Sequence, residues 1–324
     1  MPTAAPPGSA LAVRLPAALF TIPMGVAGLG AAWRAAARAY SVSPWPATAL
    51  LVLAAALWIA LALAQGVKAA VARDRLVAEL EHPVGGSLAA LAPASLLVVA
   101  AGLQPHLRDT AAVLFWIGLA AQLALGVWIV GRWFTAAVDP RLVTPAMYVP
   151  AVVGNLVAAS AAAALGQGDL GRLLFGAGVV AWIVVFAVLL GRHLSAGELP
   201  PEVRPLLGLE LAPPALAVVA WQALEGGGAD PTSRTLLGWS LFVALVLVRL
   251  GLRFRGVPFG ASFWSFAFPV AALSSATLRV ASAAPGSFAA ALALPLFVVA
   301  NGVVAAIAFR TATALAKGTF LPRA

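Results

Sequence analysis

Ten predominantly apolar runs, each 17 to 24 residues long, fill almost the whole chain: 15-37, 46-66, 87-103, 110-130, 146-166, 170-190, 206-224, 235-252, 261-283 and 287-310. Runs of this length match the roughly 20 residues that a helix needs to cross a hydrocarbon core about 30 Å thick. Of the 324 residues, 62% are hydrophobic and only 10% are charged. A soluble domain carries about 25% charged residues, so this chain cannot clothe a water-soluble globule. The expected fold is all-α and integral to the membrane, with the lipid bilayer as its surroundings. The connections are too short for a separate soluble domain. The expected organisation is a short N-terminal tail over 1-14, one ten-helix domain over 15-310 and a short C-terminal tail over 311-324. The stretch before Arg14 is uncharged and rich in Ala and Pro, and reads as leading into a retained first helix rather than a cleaved signal.

The net charge of +9 does not point to nucleic acid, because the basic residues are scattered over the connections. Ten spans place both termini on one face, and that face then collects fourteen of the 20 Lys and Arg residues against six on the other. The positive-inside rule predicts cytoplasmic termini.

Proline gives a second regularity. Pro23, Pro93, Pro150, Pro213 and Pro269 all lie inside odd-numbered spans, at spacings of 70, 57, 63 and 56 residues. Among the even spans, only the last has an interior proline, Pro295. An interior proline removes a helix hydrogen bond and kinks the helix, which a membrane tolerates where neighbours or a wet cavity satisfy the freed group. The spacing predicts a helical hairpin repeated five times, with an inner ring of kinked helices around a central pore.

Most membrane chemistries find no residues to work with. There is no cysteine, which removes thiolate metal sites and cysteine nucleophiles. The five Asp residues lie in connections or at span ends, away from any paired intramembrane arrangement. Lys68 and Lys317 read as lying outside the spans, so a retinal Schiff base has no candidate. His82, His106 and His193 lie at helix ends and form no facing pair for haem. Phosphate loops, zinc-hydrolase pairs and nucleophile elbows are absent from the sequence. No catalytic residue, metal ligand or cofactor is expected.

Two features remain. Glu210 sits four residues into its span, three before Pro213. It reads either as a group that titrates in a cavity or as an interfacial carboxylate paired with Arg204. In span 261-283, Ser265, Phe268, Ala272, Ser275 and Arg279 fall within about 80° of one another at 100° per residue. This stripe reads either as the wall of a narrow wet passage blocked by Phe268 or as helix packing with Phe268 filling a gap. Arg34 and Arg279 both lie towards the same ends of their spans. Either can concentrate anions at a vestibule or reach to headgroups.

Several segments together resemble one family. They are Leu15-Pro-Ala-Ala-Leu-Phe-Thr-Ile-Pro23, Glu81-His-Pro-Val84, Met147-Tyr-Val-Pro150, Leu209-Glu-Leu-Ala-Pro213 and Phe263-Trp-Ser-Phe-Ala-Phe268-Pro269. In this order they resemble the TehA-like tellurite-resistance and dicarboxylate transporter family, which includes the plant guard-cell slow anion channels. The resemblance implies ten helices with quasi-five-fold symmetry, a homotrimer with one pore per subunit, and a pore closed by a phenylalanine at the position of Phe268. The implied activity is passive permeation of small inorganic anions or dicarboxylates across the inner membrane, and not enzymatic catalysis. Proton-coupled transport of tellurite or four-carbon dicarboxylates through Glu210 is the rival expectation. The long regulatory tails of the plant members have no counterpart in 1-14 or 311-324.

Overall fold

A computed structural model describes residues 7–136, 138–254 and 256–321. Residues 1-6 of the expected N-terminal tail and 322-324 of the expected C-terminal tail lie outside the described residues. The described residues form helices and turns and contain no strand. The α-helices are α1 (Pro7–Arg14), α2 (Thr21–Tyr40), α3 (Trp45–Val71), α4 (Arg73–Glu81), α5 (Pro83–Ala89), α6 (Leu91–Leu103), α7 (Arg108–Thr135), α8 (Gly154–Ala164), α9 (Gly168–Ser195), α10 (Ala212–Leu224), α11 (Pro231–Leu250), α12 (Ala267–Ala283) and α13 (Phe288–Ala316).

Among the described residues, nine helical segments are long and apolar enough to cross a membrane. The expected first span is not one of them. Pro16 interrupts it, so that α1, a 3-10 turn over Ala17–Phe20 and α2 replace one continuous helix. Although α2 has 20 residues, Arg34, Arg38 and three glycines dilute its apolar character.

The segments fall into two kinds. Those containing α6, α8, α10 and α12 have 72% to 78% of their most apolar stretch buried. The long helices α3, α7, α9, α11 and α13 have only 17% to 33% buried and expose rows of Leu, Val, Ile, Phe and Trp. In α2, every residue from Pro23 to Gly30 is buried. Contacts run from α2 to α6, α6 to α8, α8 to α10, α10 to α12, and from α12 back to α2. Each of these five also packs against the long helix that follows it: α3, α7, α9, α11 and α13 in turn.

The prolines occupy junctions. Pro23, Pro93 and Pro269 are each the third residue of α2, α6 and α12, and Pro213 is the second residue of α10. Short 3-10 segments lead into three of these helices: Ala17–Phe20, Arg204–Leu211 and Ala261–Phe266. A turn at Ala90 separates α5 from α6, and a π-helical turn over Val149–Val153 holds Pro150 ahead of α8. The first-turn N–H groups of a helix have no intrahelical partner, so proline costs little there. Each of the five prolines thus lies inside its expected span, at or next to a junction between helical pieces.

The long helices send polar side chains inward to carbonyls at these junctions. Trp58 Nε1 donates to Ala92 O at 2.8 Å, Gln122 Nε2 to Pro150 O at 3.2 Å, and Gln65 Nε2 to Leu15 O at 2.9 Å. Gly154 makes room for Gln122, whose Nε2 would lie 1.9 Å from a Cβ at that position. Lys68 belongs here too, which corrects its expected place outside the spans. It lies within α3, is 4% exposed, contacts Leu15 O and forms an ion pair with Glu79. The same carboxylate accepts from Ala17 N at 2.6 Å, so the break around Pro16 is stapled from α3 and α4.

Candidate functional site: a cavity among the buried helices

Each of the five buried helices contributes to one cavity of ≈ 350 Å³. A single water needs about 10–15 Å³ on this measure, so the space is large enough for a hydrated ion. From α12 come Phe268, Ala272, Ser275 and Arg279, and from α2 come Ala27, Gly28, Arg34 and Arg38. Leu97 and Gly102 of α6, Val157 and Ser160 of α8, and Leu216 and Val219 of α10 complete most of the wall, with Ala47 and Leu51 of α3 at one side.

Its polarity divides along the helices. Phe268 at the start of α12 belongs to the main buried apolar cluster, together with Leu97, Val157 and Leu216, all 7% exposed or less. The ring of Phe268 lies flush against α2 because residue 28 is glycine. A Cβ there would sit 2.6 Å from Phe268 Cδ2. Towards the helix C-termini the lining changes to Ser160, Ser275 and the three arginines Arg34, Arg38 and Arg279. Arg34 Nη2 donates to Gly102 O at 2.8 Å. No Asp or Glu lines the cavity.

Of the residues selected from the sequence, Phe268, Ala272, Ser275, Arg279 and Arg34 come together on this one cavity. Ser265 does not join them: its hydroxyl donates to the carbonyls of Pro205 and Ser262, each at 2.6 Å. Glu210 is also absent from the lining. It accepts a hydrogen bond from Tyr148 Oη at 2.9 Å, while Arg204 pairs with Glu198 at 3.3 Å and donates to Leu199 O and Arg253 O. Sequence reasoning missed Gly28, Leu97, Val157 and Leu216. Nothing sets these apart from other glycines and branched aliphatics in apolar helices; only their convergence on Phe268 does.

A bundle of apolar helices, five of them mostly buried and enclosing a partly basic cavity, defines a multi-pass membrane protein. The sequence pattern of the SLAC1 voltage-dependent anion channel family matches residues 14–312, and the chain belongs to this family. It is 31% identical over 309 residues to a Haemophilus influenzae protein named tellurite resistance protein TehA homolog, covering 94% of this chain and 92% of that protein. It is 30% identical over 279 residues to the Arabidopsis thaliana S-type anion channel SLAH4, covering 82% of this chain and 74% of that one. To the guard cell S-type anion channel SLAC1 of Arabidopsis thaliana it is 32% identical over 178 residues, or 54% of this chain and 32% of the relative. The family's members are anion channels and transporters, not enzymes.

Proposed function

We propose that this protein is a passive anion channel. Its ten membrane helices, with α2 counted as the tenth, form five helical hairpins. The inner ring α2, α6, α8, α10 and α12 surrounds a conduction path, and Phe268 is the gate. One observation carries this reading: all five proline-bearing segments contribute to a single cavity that has arginines at one end and Phe268 at the other. An apolar constriction stops ions because they would have to shed water without gaining any polar partner. Guanidinium groups with no carboxylate beside them concentrate anions and repel cations. Leu97, Val157 and Leu216 complete the apolar barrier around the Phe268 ring.

Residues 15-310 serve as one channel domain, a range that coincides with the family match over 14–312. We assign the protein to the inner membrane with both termini cytoplasmic, on the asymmetry of fourteen basic residues against six. A homotrimer is the assembly that the family resemblance supports. The permeant class is small inorganic anions or dicarboxylates.

The test is anion flux through the full chain in liposomes, wild type beside Phe268→Ala, with chloride, nitrate and malate. Wild type is expected to conduct weakly and the variant strongly, without a second ion. Folded protein with no flux in either form contradicts the reading. A second reading, proton-coupled transport of tellurite or dicarboxylates, has one observation in its favour: Glu210 lies within a membrane segment, hydrogen-bonded to Tyr148 rather than paired with a base. It requires uptake that collapses with the proton gradient and loses its coupling in Glu210→Gln.

A further inference from the structure

Two residues of the cavity wall each hold a buried polar atom that is left without a hydrogen-bond partner. Ser275 Oγ and Arg279 Nε lie one turn apart on α12, and both residues line the cavity. Among the described residues, they are the two cavity-lining side chains with a buried, unpaired polar atom. Native proteins pair the large majority of such atoms, so two together on one wall call for an explanation. Both groups can donate, one through a hydroxyl and one through a guanidinium N–H.

The charges around them are also unbalanced. Arg34, Arg38 and Arg279 line the same space, and no carboxylate lines it with them. Like charges gathered in a partly apolar cavity repel, and an anion among them removes that cost. Helix C-termini converge at this end of the cavity, and a helix C-terminus favours a cation, but only within its last turn. Arg34 lies six residues before the end of α2 and Arg279 four residues before the end of α12, so both stand more than a turn inside. Neutralisation of their own helices' ends therefore does not account for them, although Arg34 meets the last turn of α6. Arg34 has one donor engaged by Gly102 O.

We propose that Ser275, Arg279 and Arg34, with Arg38 at the mouth, form a binding site for a divalent oxyanion on the arginine side of Phe268. Guanidinium and hydroxyl donors arranged around one space match the several oxygens of such an ion, and their summed charge selects a dianion over a monovalent one. If the cavity is the conduction path proposed above, a bound dianion also retards monovalent anions, since it occupies their route to Phe268.

The test is calorimetric titration of the full chain in detergent with sodium sulfate at constant ionic strength, using sodium nitrate as the monovalent control. Wild type is expected to bind one sulfate per chain and to bind nitrate at least about tenfold more weakly. Losing a charged donor in Arg279→Gln should weaken sulfate binding about tenfold or more, and losing the neutral donor in Ser275→Ala should weaken it less. Arg279→Lys retains the charge without the planar fork and should fall between wild type and Arg279→Gln. It serves as the readout should Arg279→Gln fail to fold. Undetectable sulfate binding to folded wild type, equal binding of sulfate and nitrate, or unchanged binding by Arg279→Gln and Arg279→Lys would overturn the proposal. Anion flux through Phe268→Ala separates the two claims. Flux without sulfate binding removes this site and leaves the channel, whereas sulfate binding without flux keeps the site and removes the channel.

Discussion

Helices α6 and α7 are chain neighbours that pack against each other and are both apolar, yet they occupy opposite environments. The segment Pro83–Leu103 has 78% of its most apolar stretch buried, against 33% for Arg108–Thr135. The same contrast separates α8 from α9, α10 from α11 and α12 from α13. In a membrane, lipid is as apolar as a protein core, so hydrophobicity cannot tell a buried helix from a lipid-facing one. What differs is construction. The buried segments are broken into shorter pieces near their prolines, whereas the exposed helices run unbroken for 20 to 29 residues. The exposed helices turn lipid-compatible residues outward and a few polar ones inward, onto the junctions of their buried partners.

That division of labour can be broken at its inward contacts. The largest loss of stability is expected for Lys68→Met. It strands Glu79, whose side chain is 15% exposed, against the break at Pro16. Removing one partner of a buried ion pair costs about 3–5 kcal/mol. Denaturant titration of the protein in detergent would measure it, and a loss below about 1 kcal/mol, the level of exposed pairs, would remove the staple from the account. Gln122→Leu leaves Pro150 O without its side-chain donor and should cost about 1–3 kcal/mol by the same titration. Leu245→Ala sharpens the comparison from the other side. Leu245 of α11 is 68% exposed, facing outward like its lipid-compatible neighbours, and its truncation should change stability by no more than about 0.5 kcal/mol. A cost of several kcal/mol there would mean that α11 is buried against another protein surface.

Much of this architecture was legible in the sequence, because apolar run lengths and the five prolines are local signals. The number of unbroken spans was not fully legible, since Pro16 and two arginines make the first segment unlike the rest. Within α12, Phe268, Ala272, Ser275 and Arg279 share a wall because 100° spacing holds from Ala267 onward. Ser265 left the stripe because Ala261–Phe266 is a 3-10 helix, where three residues make a turn and the face rotates differently. Tyr148 as the partner of Glu210, Glu79 as the partner of Lys68, and the fit of Phe268 against Gly28 are tertiary contacts. No sequence period encodes them.

The chain has no cysteine, which makes one measurement especially direct. A cysteine placed at Ala272 or at Leu245, each in the Phe268→Ala background, would be treated with a small anionic thiol reagent while anion current is recorded. If the buried helices enclose the path, Ala272→Cys reacts and the current falls, and Leu245→Cys leaves it unchanged. A current that survives complete modification at Ala272, or folded protein that carries no current before treatment, would contradict the account.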